Sequence, residues 1–410
     1  MDQPTPLPGR CDVLVVGAGP AGSACAHWLA RAGLDVLLAD QHVFPRDKVC
    51  GDGLIPDTHA ALRRLGVYEE VAALAAHAPH VRCIAPGGAF VDVAGTVSVL
   101  PRKTLDHILV RAAQRAGARL LAPLRFEAPL LEGERVVGAR FQADGGVHEI
   151  TARWVVLATG AVPQALIAAG LCERRTPSGV ALRGYVRHEA MVGRITQLQL
   201  VWHPRLRGGY GWIFPAPGGL FNIGTGLTGS HVVQRNGKGH MHNVNLRDML
   251  DAFCDVYAPA RELMTGGELQ GDFKGAPLRC TLRGARWSRP GLLVTGEAAG
   301  STYAFSGEGI GKAMETGLLA AEALLAPPRQ GADDEAVQQR YEAALALLQP
   351  RFDLYETASH VNLHPWIADL VVWRARRSPR IRSRLSGILE ETQNPGRLFS
   401  WSGMTKLMFE

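Results

Sequence analysis

A glycine-rich segment near the N-terminus has the spacing that lets a polypeptide backbone approach a pyrophosphate. Gly17-x-Gly19-x-x-Gly22 follows an apolar run over residues 12–16 and precedes a helical pattern that starts at Ser23. The first glycine allows a tight turn, the second gives phosphates access to the backbone, and the third lets helix and strand pack closely. Free N–H groups at the helix N-terminus then attract the phosphates. The segment predicts a dinucleotide site.

A carboxylate stands where such a site needs one for ribose. Asp40 closes a second apolar run, residues 35–39, and follows the glycine motif by about 20 residues. A carboxylate at the end of the second strand accepts hydrogen bonds from ribose hydroxyls. The unit of strand, turn, helix, strand and acid predicts binding of NAD or FAD without distinguishing them.

A second glycine-rich region, far along the chain, favours FAD. Gly296-Glu297-Ala298-Ala299-Gly300 follows the apolar run 292–295, and Gly307-Glu308-Gly309-Ile310-Gly311 precedes a helical pattern. A carboxylate at a strand end suits ribityl hydroxyls. A glycine-rich helix start lets backbone approach a flat ring and directs its positive end at a reduced flavin's negative charge. A fold that closes on its cofactor from both ends of the sequence suits the longer dinucleotide, FAD.

These motifs belong to a chain with the composition of a large globular protein. Its 410 residues are 47% hydrophobic and 20% charged, with a net charge of +6. Two or three domains with a large core are expected, and global disorder is excluded. The modest positive charge suits phosphorylated ligands and does not require nucleic acid, so no nucleic-acid partner is predicted.

Cysteine usage and hydropathy indicate a cytoplasmic setting. Seven cysteines without a CxxC pair argue against a disulfide framework and a zinc ribbon. No apolar run reaches the roughly 20 residues that span a bilayer, and residues 1–10 lack a signal-peptide pattern. His231, His240 and His242 share one stretch without an acidic or cysteine partner at ligand spacing, so no metal site is predicted.

The order of apolar runs predicts an α/β fold with two sheets and a helical end. The expected architecture is a Rossmann-like FAD-binding domain, an inserted antiparallel β-sheet substrate domain, and a helical C-terminal region. The predicted FAD-binding domain is discontinuous. Its segments are 1–85, 100–165 and 280–330; the substrate domain takes 86–99 and 166–279, and the helical region takes 331–410.

Three segments resemble one family. Residues 44–54 (FPRDKVCGDGL), 209–215 (GYGWIFP) and 296–317 are similar to the geranylgeranyl reductase family of FAD-dependent oxidoreductases, which has the aromatic-hydroxylase type of fold. The likeness covers roughly residues 10–325. It implies FAD as the cofactor and an apolar or aromatic substrate.

The resemblance also implies which residues contact FAD and substrate. Glu297 stands where the family usually has Asp, and Ala158–Ala161 lacks an Asp that the family carries there. Tyr210, Trp212 and Phe305 are expected to face the substrate. The residues expected to bind FAD are Gly17, Gly19, Pro20, Ala21, Gly22, Asp40, Gln41, Lys48, Cys50, Gly51, Gly53, Arg102, Phe126, Gly160, Gly296, Glu297, Gly307, Gly309 and Ile310.

Two reactions remain open from the sequence. The first is reduction of carbon–carbon double bonds in an isoprenoid, such as a geranylgeranyl-type lipid or a quinone side chain, by hydride transfer from reduced flavin. The proton would then come from Cys50, a nearby hydroxyl or water; in the alternative interpretation Cys50 is a small residue packed against the ring. The alternative is a monooxygenase or halogenase-like enzyme that modifies an aromatic small molecule or a peptide side chain through a C4a-hydroperoxyflavin. The electrons for FAD would come from NAD(P)H, which would bind only transiently, or from a protein donor.

The C-terminal region carries a basic cluster beside tryptophans. Six arginines lie between Arg374 and Arg384, directly after the Trp-bounded apolar stretch 366–373. A helix packed on the core with its arginines in water is the favoured interpretation. The alternatives are an interfacial anchor that makes peripheral membrane contact and a docking face for an acidic protein.

Overall fold

Two large β-sheets and a surrounding set of helices form the architecture of the computed structural model. It describes residues 8–143, 145–206, 208–229, 231–233, 239–241, 245–327 and 333–393. The helices are α1 (Pro20–Arg31), α2 (Pro56–Arg64), α3 (Tyr68–Leu74), α4 (Arg102–Arg115), α5 (Gln164–Ala168), α6 (Leu246–Val256), α7 (Ala258–Gly266), α8 (Ile310–Leu325), α9 (Asp334–Ala358), α10 (His360–Leu363), α11 (Trp366–Arg377) and α12 (Pro379–Leu389).

The strands divide between the two large sheets and one separate hairpin. They are β1 (Arg10–Val16), β2 (Val36–Ala39), β3 (Gly53–Leu54), β4 (Ala76–Ile84), β5 (Phe90–Val99), β6 (Arg119–Leu121), β7 (Arg125–Glu132), β8 (Arg135–Ala143), β9 (Gly146–Leu157), β10 (Gly179–Arg187), β11 (Leu198–Val201), β12 (Gly209–Ala216), β13 (Leu220–Thr228), β14 (His231–Val233), β15 (Gly239–Met241), β16 (Glu268–Leu269), β17 (Lys274–Leu278), β18 (Ser288–Arg289) and β19 (Leu292–Val294).

The first sheet is the predicted Rossmann-like sheet. Its order is β18-β19-β9-β1-β2-β6, and the pairs β19/β9, β9/β1, β1/β2 and β2/β6 are parallel. The hairpin β7–β8 joins it through β9. β1 and β19, from opposite ends of the sequence, both pair with β9. The carboxyl ends of these parallel strands therefore share one edge, where open α/β sheets bind ligands.

Both faces of this sheet are buried, which explains why its strands read as continuous apolar runs. On β1, Leu14 and Val16 face the β7–β8 hairpin side, whereas Val13 and Val15 face helices α1, α4, α8 and α9. All four side chains are at most 3% exposed. This double burial fixes the strand ends that carry the glycine and acidic residues.

The second sheet has the order β16-β10-β13-β12-β11-β4-β5-β3, with β17 beside β10. Its pairs are antiparallel except β11 with β4. Met249 and Phe253 of α6 and Leu263 of α7 pack on one face. The other face meets α11 and α12, whose Val371, Val372 and Ile381 pack against β5 and its neighbours. The predicted fold class is confirmed.

The structure differs from the sequence expectation at two places. The sequence predicts a hairpin from residues 135–141 and 147–152 and a separate buried strand over 153–158, whereas the structure has one 12-residue strand, β9, over Gly146–Leu157. Its first half pairs with β8 and its second with β1 and β19, so one extended segment carries both an alternating and a continuous apolar pattern. β4, within the 1–85 range assigned to the FAD-binding domain, pairs in the second sheet because its partner β5 follows it directly.

Two sequence expectations concern membrane-spanning segments and a histidine-rich stretch. Within the part of the chain that the structure describes, no helix combines the length and the apolar character needed to cross a membrane. The side chains of His231, His240 and His242 lie outside the described residues.

The crossing of α1 and α8 gives a stability prediction. A Cβ atom at Gly317 would lie 2.3 Å from the carbonyl oxygen of Ala21, so Gly317→Ala must push the two helices apart. Overpacking of this kind costs about 1–3 kcal/mol, more than the helix propensity that alanine gains. We expect a lower urea midpoint for Gly317→Ala. Gly9→Ala, where nothing lies within 4 Å, is the matched control and should leave the midpoint unchanged.

Candidate cofactor and substrate site

The loops after β1 and β2 are tied together at the carboxyl edge of the first sheet. The Ala18 N–H donates to Asp40 Oδ2 at 2.8 Å, and the His42 N–H donates to Asp40 Oδ1 at 2.9 Å. Asp40 is 7% exposed, so its carboxylate is fixed by the backbone around it. Each carboxylate oxygen keeps a second lone pair with which to accept a ribose hydroxyl.

Two helix N-termini point their unsatisfied N–H groups at the same cavity. The N-caps of α1 and α8 are Gly19 and Gly309, and neither helix has a side-chain cap or an acidic residue in its first turn. Both glycines line the cavity. Uncapped N–H groups and the positive ends of two helix dipoles attract negative charge there.

The cavity has a volume of about 1010 Å³ and brings together most residues predicted to bind cofactor or substrate. Those that line it are Gly17, Gly19, Pro20, Ala21, Asp40, Gln41, Lys48, Cys50, Gly51, Gly53, Arg102, Phe126, Gly160, Tyr210, Trp212, Glu297, Phe305, Gly307, Gly309 and Ile310.

Two predicted cofactor residues, Gly22 and Gly296, do not line the cavity. A Cβ atom at Gly22 would lie 1.8 Å from the carbonyl oxygen of Gly17, so this glycine serves the close packing of α1 under the turn. Gly296 precedes the lining residue Glu297, whose Oε1 accepts from the Thr302 hydroxyl at 3.3 Å. Both glycines allow close packing of the segments that carry the lining residues, and neither faces the cavity itself.

Two arginines share one buried carboxylate beside the glycine turn. Arg102 makes a bidentate pair with Asp106, at 2.7 and 2.8 Å, and Arg46 Nη1 lies 2.9 Å from Asp106 Oδ2. A Cβ atom at Gly19 would be 3.8 Å from an Nη2 of each arginine. Two positive charges against one negative charge leave a net positive charge near the glycine turn, which suits a pyrophosphate.

The segment around Cys50 is anchored by a buried carboxylate that the sequence analysis missed. Asp52 is 0% exposed and has a φ of 64°, in the left-handed region. Asp52 Oδ2 accepts from the Tyr185 hydroxyl and, at 2.8 Å, from Asn222 Nδ2, while Oδ1 accepts from the Arg102 N–H at 3.3 Å. Burial raises the pKa of Asp52 to about 6. The hydrogen bonds offset the backbone strain at this residue.

Polar side chains of the second sheet also hold the backbone at Cys50. Its carbonyl oxygen accepts from Asn222 Nδ2 at 2.8 Å and from Arg183 Nε at 3.4 Å, and Arg183 Nη2 donates to Asp47 at 2.7 Å. Burial raises the pKa of the Cys50 thiol. Cys50 therefore faces the cavity as a neutral thiol in a fixed position.

A second group of buried charges lies beside the turn before α8. Lys312 is 2% exposed and pairs with Glu391 at 3.0 Å, Glu315 at 3.0 Å and Asp57 at 3.3 Å. Burial, with the negative charges of Asp57 and Glu391, raises the pKa of cavity-lining Glu308 to about 8. Glu308 is therefore mostly protonated at neutral pH.

The end of the cavity away from these charged groups is apolar. It lies between the second sheet and the C-terminal helices, and every residue that β4, β5, β11, β12 and α9–α12 contribute to its lining is apolar or aromatic. They are Val81, Cys83, Val91, Val93, Leu198, Leu200, Tyr210, Trp212, Phe214, Tyr355, Val361, Ala368, Val371, Val372, Leu385, Ile388 and Leu389.

The sequence carried signals for some missed residues. Asp52 stands inside the Cys-Gly-Asp-Gly segment, and Glu308 inside the Gly-Glu-Gly turn. Asn222 and Arg183 are polar residues in otherwise apolar strands, which marks a buried polar contact without naming its partner. Their pairing with residues 47–52 spans more than a hundred positions and needs the fold.

The residues at the polar end of the cavity fit FAD. The two uncapped helix N-termini suit its phosphates and its electron-rich ring, and Asp40 suits its ribose. Thr159, which lines the cavity, has a buried hydroxyl oxygen without a hydrogen-bond partner among the described residues. A bound ligand would satisfy that group.

Comparisons with known proteins agree with this arrangement. Residues 10–185 match the family model described as FAD binding domain. The menaquinone reductase of Mycobacterium tuberculosis strain H37Rv is 33% identical over 344 residues, covering 76% of each chain. Digeranylgeranylglycerophospholipid reductase 1 of Methanopyrus kandleri is 28% identical over 335 residues, covering 81% of this chain and 84% of its own.

A solved structure shows the same fold over nearly the whole chain. The geranylgeranyl bacteriochlorophyll reductase-like protein of Thermoplasma acidophilum superposes with a TM-score of 0.69 at 22% identity, covering 98% of this chain and 96% of its own. The resemblance stated from the sequence motifs is confirmed.

The Asp52 contacts predict a loss of stability when the carboxylate is removed. Asp52→Ala leaves the Tyr185 hydroxyl without its acceptor and removes one of the acceptors of Asn222 Nδ2. The free energy of unfolding should fall by about 2–4 kcal/mol, and FAD should be held less tightly. Urea unfolding and the release of FAD absorbance measure the two effects. Asp353→Ala, which breaks an exposed pair with Arg283, is the control and should change stability by less than about 1 kcal/mol. Equal urea midpoints for the two variants would contradict the assignment.

Proposed function

The chain belongs to the geranylgeranyl reductase family of FAD-dependent oxidoreductases, and from this we propose that it reduces carbon–carbon double bonds in the isoprenoid chain of a lipid or quinone. The named relatives act on a menaquinone and on a digeranylgeranylglycerophospholipid. Both names denote molecules with long isoprenoid chains. The substrate proposed for this chain is of the same chemical class.

The apolar end of the cavity is the observation that carries this proposal. Among the described residues, the part of its lining that comes from β4, β5, β11, β12 and the C-terminal helices contains no charged side chain, and the Arg183 side chain of β10 is paired with Asp47. A peptide or a charged aromatic acid would leave its polar groups without partners there, at a cost of about 1–3 kcal/mol each. An isoprenoid chain has no such groups and gains from burial in proportion to its apolar area.

Aromatic side chains at the junction of the two ends are held in fixed orientations. The Tyr210 hydroxyl donates to the Ser306 carbonyl, and Trp212 Nε1 donates to Asn222 Oδ1 at 2.9 Å. The rings of Trp202 and Phe305 stack with centroids 6.2 Å apart. In the proposed reaction, Tyr210, Trp212 and Phe305 hold the reacting double bond against the cofactor and exclude water.

When bound and reduced, FAD would supply a hydride for one carbon of the double bond. The chain's own share is positioning, charge complementarity and a proton for the other carbon. The uncapped N-terminus of α8 stabilises negative charge on the cofactor. In this proposal NAD(P)H binds transiently as electron donor. Residues 158–161 line the cavity at the place where the family carries an Asp that this chain lacks.

Two of the protonated groups that line the cavity, the Cys50 thiol and the Glu308 carboxyl, are candidates for the proton donor. Cys50, a candidate from the sequence, has a thiol whose pKa is raised by burial. Glu308 has a carboxyl pKa of about 8. A general acid is most effective when its pKa lies near the working pH. We therefore assign proton donation to Glu308 and positioning of the ring to Cys50.

Anaerobic turnover tests the proposed reaction. Purified protein with FAD, a chemical reductant and menaquinone or a digeranylgeranyl lipid should yield a product that, once any quinone ring has been reoxidised, is heavier by two hydrogens per reduced carbon–carbon double bond. Mass spectrometry measures the product without oxygen present. Oxygen uptake in step with the modification of an aromatic compound, and no anaerobic product, would instead identify the monooxygenase alternative.

The assignment of Glu308 predicts a specific pH profile. Activity should be retained below about pH 8 and fall above it, because Glu308 then loses its proton. Glu308→Gln should lower the rate about 100-fold and remove that limb of the profile. Cys50→Ala should keep the limb; a profile that changes in Cys50→Ala and not in Glu308→Gln would assign the proton to Cys50.

Stability gives a readout of Glu308 that is independent of turnover. The carboxyl pKa of Glu308 is 4.5 in the unfolded chain and about 8 in the folded protein. The folded protein therefore loses stability as the pH rises through that interval. Glu308→Gln should therefore flatten the fall of thermal stability between about pH 5 and pH 8. Glu322→Gln, which breaks an exposed pair with Arg64, is the matched control.

A further inference from the structure

Helix α11 has apolar side chains on its cavity side and two exposed tryptophans on the opposite side. Its inner face places Ala368, Val371 and Val372 in the lining of the cavity. Its outer face exposes Trp366 by 58% and Trp373 by 43%, seven positions apart and therefore on one side of the helix. A helix at a protein surface normally turns polar residues to water. The exposed pair of Trp366 and Trp373, the outer stripe, therefore indicates a surface that binds a partner.

Five exposed arginines follow the stripe and none of them meets a carboxylate. Arg376 and Arg377 end α11, and Arg380, Arg382 and Arg384 lie on α12. Among the described residues, no ion pair involves any of the five. Other exposed arginines of the chain do pair, as in Arg119 with Asp35, Arg140 with Glu149, and Arg205 with Asp255.

The acidic groups of the same helices are occupied elsewhere. Asp369 Oδ1 accepts from the Gly87 N–H at 2.9 Å, and Glu390 Oε1 accepts from the Thr96 N–H at 2.9 Å. Glu391 binds Lys312 and Arg351. These carboxylates fasten α11 and α12 to the second sheet and to α8, and they leave the arginine charge of the outer face uncompensated.

We infer that the outer face of α11 and α12 docks on the surface of an anionic lipid bilayer. Tryptophan side chains prefer the region of lipid headgroups, and arginines extend their charged ends to lipid phosphates. Arginine beside exposed tryptophan on an amphipathic helix matches this surface better than an acidic protein, which the tryptophans would not require. Uncompensated positive charge selects anionic over zwitterionic lipid.

The same two helices form the wall between this face and the apolar end of the cavity. Ala368, Val371, Leu385 and Leu389 lie on the cavity side of that wall. If the proposed function is taken as the basis, docking would place the wall of the substrate cavity against the membrane that holds isoprenoid lipids. The docking itself does not depend on which reaction the protein catalyses.

Flotation with lipid vesicles tests the inference on the full FAD-bound chain, without substrate. Wild-type protein should float with vesicles that contain about 30% phosphatidylglycerol and should not float with pure phosphatidylcholine. Each arginine near an anionic surface contributes roughly a fivefold gain in partitioning. Replacing Arg376, Arg380, Arg382 and Arg384 with Gln should therefore lower the partition coefficient about 100-fold or more.

A matched variant separates local docking from net charge. Replacing Arg111, Arg175, Arg247 and Arg261 with Gln removes the same charge from other exposed positions and should keep binding within a few fold of wild type. Trp366→Ser with Trp373→Ser should weaken binding at raised salt, where the arginine contribution is screened. FAD absorbance and thermal midpoint confirm that each variant is folded.

Three results would overturn the docking inference. The first is that the wild type does not float with anionic vesicles, and the second is an equal loss of binding in the two four-arginine variants. The third is binding of the protein to a polyglutamate resin from which anionic vesicles do not displace it. None of these outcomes depends on turnover, so failure of the docking inference and failure of the proposed reaction are distinguished by flotation and by anaerobic product formation.

Discussion

The site depends on one buried carboxylate that hydrogen-bonds to two parts of the fold at once. Asp52 lies in the segment that carries Cys50, accepts from Tyr185 and Asn222 of the second sheet, and accepts from the N–H that starts α4. A carboxylate that is buried without such donors would be costly, so the three donors make this arrangement of sheets the stable one. The cavity exists where the two sheets are held at this separation.

The two ends of the cavity have different physical characters for a clear reason. The polar end gathers helix N-termini, Arg46, Arg102 and strand-end acids, because these are the features that the carboxyl edge of a parallel sheet exposes. The apolar end is walled by apolar and aromatic side chains of the second sheet and of α9–α12. A ligand that fits both must be charged at one end of the site and apolar at the other, as a flavin dinucleotide with an isoprenoid substrate would be.

Local patterns were enough to predict the first sheet and its glycine turns. Gly17, Asp40 and Gly309 stand at element boundaries, where residue type and position in the chain specify geometry. The hydrogen bond of Asp52 with Asn222 and the effect of the Asp57 charge on the pKa of Glu308 could not be predicted, because they involve segments far apart in sequence. The continuity of β9 was also missed, since its two halves face different neighbours and therefore carry different hydrophobic periods.

The apolar wall and the cofactor cradle come from separate stretches of the chain. α11 and α12 contribute to the wall, whereas the glycine turns, Asp40 and Arg102 build the cradle. Side chains in residues 366–389 can consequently be exchanged without altering the residues that face the cofactor. For the proposed isoprenoid substrate, these two helices are therefore the region in which to engineer selectivity for chain length.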